Sequence, residues 1–260
     1  SICAASIADA LAVRRAAEGY DEADPFSQRR HQQPLPSRLR AGVLPPGARE
    51  FYGDGDYAAL YEKAIETMHG LGAEIVEIEP RPFFDMGRLL YEGPWLAERL
   101  VSIGGFVEAH PGDVNGTVRD LLEGARRHSA ADAFAAMHRL KELSRLAEAQ
   151  WARADILLLP TVPTIYRVDE MLAEPVRLNA RLGYYTQFVN FLGAPAISVP
   201  CGFRSDGLPF GAMLVARPFQ DDALAAAAAA LHAASECGTG YTRDKAAVEP
   251  LSPIPPVPAS

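Results

Sequence analysis

Two side chains that flank a Gly-Pro pair could together grip a small anion. In the stretch "LLYEGPWLAERL", residues 89–100, Gly93 and Pro94 interrupt a helical pattern, with Tyr91 before them and Arg99 after them. Proline inside a helix costs about 3 kcal/mol, yet it suits the first helical position. The spacing therefore predicts a helix that starts near Pro94, with Tyr91 just outside its N-terminus and Arg99 inside it. A phenol hydroxyl, a planar guanidinium fork and the free amides of a helix start form a carboxylate-binding set. The same residues admit a second arrangement, in which Tyr91 packs in the core and Arg99 pairs with a surface carboxylate.

Other chemistries lack their residue patterns. None of the six histidines sits in a His-x-x-x-His pair or beside a cysteine at ligand spacing, so no metal site is expected. Asp21, Glu22 and Asp24 read as a solvated loop. A serine nucleophile needs a tight elbow and a base, and no Gly-x-Ser-x-Gly occurs. Ser198 falls in a predicted buried strand, and Ser129 has a helix-capping role. Gly53, Gly55 and Gly104-Gly105 lack the lysine or the strand-to-helix context of phosphate-cradling loops. These residues assign no catalytic group and no cofactor.

Composition narrows the partners. The formal charge of −8 over 260 residues argues against a nucleic-acid partner, and no apolar run reaches the roughly 18 residues of a membrane span. Three cysteines, Cys3, Cys201 and Cys237, fit neither a disulfide framework nor zinc spacing, which points to a reducing, cytoplasmic setting.

The elements that must position the pair follow from periodicity. Residues 5–19 predict a surface helix ending at Gly19, and 20–40 an irregular crossing with three prolines. A strand near 39–44, a helix capped by Asp54 or Asp56 and stopped at Gly72, and the strand "AEIVEIEP" form a strand-helix-strand unit with parallel strands. Helices fill 83–154. The last of these starts at Ser129 and is expected to bury Phe134, Met137, Leu140, Leu143 and Leu146. "ADILLLPT" predicts a strand covered on both faces, 184–192 an apolar helical stretch, and "PAISVPCGF" a buried strand. A hairpin turning at Asp206-Gly207 and an alanine-rich helix follow. The five prolines of 249–260 mark a tail or linker.

The run 154–224, with "LLLPTVPTIY", "RLGYYTQFVNFL", the Pro-Ala-Ile-Ser-Val-Pro strand and the Asp-Gly-Leu-Pro hairpin, resembles the carboxy-terminal half of amidase signature hydrolases. "LLYEGPWLAER" and "HSAADAF" make it most similar to the allophanate hydrolases among them. The resemblance covers nearly the whole chain. It implies an α/β/α sandwich around a mixed β-sheet, here an incomplete domain over 1–248, with no metal and no organic cofactor. It also implies acyl transfer by a serine, serine, lysine triad, none of whose residues has a match in this sequence. Urea degradation is the implied setting, and a homodimer of the intact enzyme the implied assembly. The substrate is expected to be a small carboxylate-bearing amide, allophanate. Tyr91 and Arg99 match the motif implicated in holding its carboxylate. The chain alone is expected to lack amidase activity. Two alternatives are another amidase signature hydrolase or amidotransferase-like subunit, and a noncatalytic fragment that pairs with a triad-bearing polypeptide.

Overall fold

Parallel and antiparallel pairing meet in one sheet. The computed structural model describes residues 1–29, 31 and 33–239, so the expected tail at 249–260 and the boundary at 248 lie outside the described residues. After helix α1 (Ile7–Ala17), strand β1 (Arg40–Val43), helix α2 (Gly55–Gly70) and strand β2 (Glu74–Glu77) form the expected unit, with β1 and β2 parallel. Helices α3 (Arg81–Glu92), α4 (Leu96–Ala109), α5 (Gly116–Ala125) and α6 (Ala130–Trp151) then lead to β3 (Ile156–Pro160). Two short helices, α7 (Val168–Ala173) and α8 (Pro175–Leu182), precede the hairpin of β4 (Ala196–Phe203) and β5 (Pro209–Ala216), and α9 (Asp221–Ala234) closes the series. The strand order is β2-β1-β3-β5-β4. β1 runs parallel to β3, whereas β5 is antiparallel to both β3 and β4.

The start and stop signals do what their chemistry dictates. Asp54 caps α2 by accepting from the Tyr57 amide, and Gly72, at φ 93°, takes the left-handed turn after it. Ser129 and Asp132 form a reciprocal capping box at the head of α6. Gly207, at φ 85°, turns the hairpin.

Burial is complete along β3, where all five residues are enclosed, so helices cover both faces of the sheet there. α2 and α9 pack together against β4 and β5. α3 and α6 pack on each other and reach the same core through Phe83, whose ring meets Trp151 edge-on and lies 5.0 Å from Phe188. Two buried tyrosines tie elements together. The Tyr61 hydroxyl of α2 donates to Leu158 O at 2.8 Å and accepts from the Leu44 amide at 3.3 Å. The Tyr185 hydroxyl donates to Glu50 O at 2.7 Å and accepts from the Glu50 amide at 2.8 Å.

Three expectations need correction. α6 buries Ala136, Leu143, Ala147 and Trp151, while Phe134, Met137 and Leu146 face outward. Small alanines let α3 approach closely, and that contact outweighs the larger side chains on the neighbouring stripe. β4 is a partly exposed edge strand rather than a buried one, and Ser198 within it is exposed. The 184–192 stretch is a series of turns ending in a 3-10 turn (Asn190–Leu192), because it lacks the continuous helical ladder its apolar spacing suggested.

Candidate functional site

The break at Gly93-Pro94 separates two helices. α3 runs through Tyr91 and ends at Gly93, whose amide closes the last turn onto Leu89 O. A Cβ on Gly93 would sit 2.5 Å from that carbonyl, which is why glycine occupies the position. The chain then restarts at Pro94, whose carbonyl accepts from the Ala97 amide, and α4 runs from Leu96. Pro94 therefore precedes the helix by one residue beyond its cap, Trp95, instead of occupying the first helical position. Tyr91 lies in the last turn of α3 and not outside a helix N-terminus. Proline is still placed where its absent N–H costs nothing.

Tyr91 is half-buried and lines a cavity of about 510 Å³. Across from α3 the lining comes from the end of α8 and the turns after it: Asn179, Gly183, Thr186, Gln187 and Asn190. Ala196 and Met213 of the β4–β5 pair add an apolar wall. Arg99 is exposed on α4 and does not line this cavity, and no hydrogen bond, ion pair or ring contact joins it to Tyr91 among the described residues. The guanidinium has no ion-pair partner among the described residues, so its donors are open to an anion.

The polar wall was not singled out in the sequence. Its signal was the interruption of "YYTQFVNFL" by Thr186, Gln187 and Asn190, three hydrogen-bonding side chains in an otherwise apolar run. Gln187 is the most constrained of them. Its Nε2 donates to Ala180 O at 3.1 Å, and its backbone amide to Gly183 O at 3.0 Å.

A second cavity, of about 890 Å³, opens between residues 1–7 and β4 and includes Ser198 and Thr161. Ser198 hydrogen-bonds the Thr161 hydroxyl, and no base bonds to it among the described residues. His232 also lines this space, but its Nε2 faces Gly238 O at 3.0 Å. Burial pushes the nearby Cys201 thiol up to about 12, which keeps it protonated and inert. Among the described residues no cluster of three metal-ligating side chains occurs, and no helix is long and apolar enough to cross a membrane.

Residues 1–225, which include the whole five-stranded mixed sheet and this cavity, match the amidase family, and the chain belongs to it. Within that family it is similar to the allophanate hydrolases. It is 37% identical over 180 residues to urea amidolyase of Saccharomyces cerevisiae, a match covering 67% of this chain and 10% of that protein. The structure of Kluyveromyces lactis allophanate hydrolase superposes with a TM-score of 0.84 at 30% identity, over 89% of this chain and 38% of that one. A glutamyl-tRNA(Gln) amidotransferase polypeptide of Thermosynechococcus vestitus is 28% identical over 255 residues, covering 85% of this chain and 52% of that one. The chain thus spans a minor part of the length of the urea amidolyase and allophanate hydrolase relatives.

Proposed function

We propose that this chain supplies the substrate-anchoring wall of an amidase that hydrolyses a small carboxylate-bearing amide, allophanate, in urea degradation. The observation that carries the reading is the placement of Tyr91 on the wall of the 510 Å³ cavity, with the unpaired Arg99 guanidinium following it across the α3–α4 break. Tyr91 supplies one hydroxyl from the wall, and the reading requires the exposed Arg99 fork, which lies outside the cavity lining in this structure, to turn toward the carboxylate that Tyr91 holds. The bond-breaking serine, serine, lysine set is contributed from outside this chain, in keeping with the lack of any base bonded to Ser198 among the described residues. Three unpaired cysteines suit a reducing cytoplasmic compartment.

The test is kinetic. In the intact protein, Arg99→Leu is expected to raise KM for allophanate by roughly ten- to a hundred-fold, the range for losing a hydrogen bond to a charged group. The thermal midpoint should stay near wild type, since the side chain is exposed. The 260-residue chain alone should release no ammonia from allophanate. An unchanged KM in the variant would refute the anchor, and turnover by the isolated chain that a substitution within it abolishes would refute the division of labour.

A further inference from the structure

We infer that Gln187 is a specificity-determining residue that reads the amide N–H of the bound molecule, from the wall of the same cavity that Tyr91 lines. The inference rests on the reading above and extends it from the anion to the amide.

The geometry fixes which end of the Gln187 side chain is left to make a further hydrogen bond. Nε2 is committed to Ala180 O at 3.1 Å, and a donor against a carbonyl admits only one orientation of the amide. Oε1 is then an acceptor. It has no hydrogen-bond partner among the described residues and is not sealed from solvent, and the side chain lines the cavity.

Two glycines hold it there. A Cβ at Gly183 would lie 2.6 Å from Nε2, and a Cβ at Gly87 would lie 3.2 Å from Gln187 Cβ and 3.4 Å from Oε1. Gly183 has φ −78°, so its backbone would accept any residue, and the space it leaves is what Gln187 occupies. Gly87 stands one turn before Tyr91 on α3, and residues four apart share a helix face. Oε1 therefore points at the same face of α3 that presents Tyr91. An acceptor oxygen repels a carboxylate and suits an N–H donor. Beside the Tyr91 hydroxyl, which can donate to a carboxylate, the cavity wall thus offers an acceptor suited to an amide N–H.

The experiment compares two probes by calorimetric titration of the 260-residue chain. Malonamate carries a carboxylate and a primary amide, whereas monomethyl malonate keeps the carboxylate and has no N–H. Wild type is expected to bind malonamate about ten-fold more tightly, the scale of one well-placed hydrogen bond with its partner otherwise left unmade. Gln187→Leu should bring the ratio to about one, and so should Gly183→Ala, whose methyl displaces the amide. Arg99→Leu should weaken both probes equally and leave the ratio intact. If Gln187→Leu preserves the ratio, or if wild type binds both probes equally or neither, the role of Gln187 is overturned. If only Arg99→Leu is without effect, the carboxylate anchor fails and the role of Gln187 stands.

Discussion

A hydroxyl that both donates and accepts can fix a loop that no regular element reaches. Tyr185 is fully buried, and its oxygen satisfies the carbonyl and the amide of Glu50 at once. Burial pushes its phenol well above the ordinary range, so it stays neutral and can keep both roles at any pH the fold survives. Tyr184 meets it edge-on and packs on Phe84 of α3, which links the turns carrying Gln187 to the helix carrying Tyr91. Tyr185→Phe keeps the ring but leaves two partly buried backbone groups without their partner. We expect a loss of about 1–3 kcal/mol in denaturant-derived stability. A loss within error would mean that water replaces the hydroxyl and that the loop is held by packing alone.

At the scale of elements, β1 and β3 are clamped at one end by a charge pair. Asp155, just before β3, accepts from the Arg40 backbone amide at 2.8 Å and pairs with the guanidinium at 2.8 Å. Burial of Asp155 works against its ionised form, but the hydrogen bonds and charge of Arg40 prevail and hold the carboxyl below its usual range. The folded value lies below the unfolded one, so the contribution is present above about pH 4 and fades as pH falls through the folded value. Asp155→Asn should therefore be less stable than wild type at neutral pH, with the gap closing in urea melts as the pH drops toward about 3. A gap that persists at low pH would assign the effect to the Arg40 amide bond and not to charge. The ends of the helices and the turn of the hairpin were legible in the sequence. Asp54 and Gly72 at α2, Ser129 at α6 and Asp206-Gly207 between β4 and β5 act through local backbone chemistry, and local chemistry survives folding unchanged. The stripe of α6 and the edge position of β4 were not legible, because each depends on which neighbour arrives. Apolar spacing marks a face that could be buried; Ala136, Leu143 and Ala147 were chosen by the fit of α3. Tyr91 was singled out from its own neighbourhood, though it lies in α3 and not before a helix start, whereas Gln187 required the approach of Gly87 from elsewhere in the chain.

For the whole molecule, the large apolar groups left outside determine its behaviour in solution. Val101 is 90% exposed, Phe134 63%, Phe106 55% and Met137 54%, distributed over α4 and α6. The outer edge of β4 adds backbone groups that pair with no strand among the described residues. Removing such side chains from water returns about 25 cal/mol per Å², and an open strand edge invites pairing, so both features favour association over a dispersed chain. We expect sedimentation velocity on the 260-residue chain to show species larger than a monomer at micromolar concentration. The combined variant Phe106→Ser, Phe134→Ser, Met137→Ser separates the two sources. If side-chain burial drives association, the variant shifts toward monomer. Its unfolding free energy should move by only about 0.5 kcal/mol per site, since nothing is taken from the core. If the edge of β4 drives it, the variant associates as before, and a lysine at exposed Ser198 is the substitution that disperses it. A wild-type chain that remains monomeric throughout would show that neither surface is sticky enough to matter, and that the 260-residue chain stands by itself in solution.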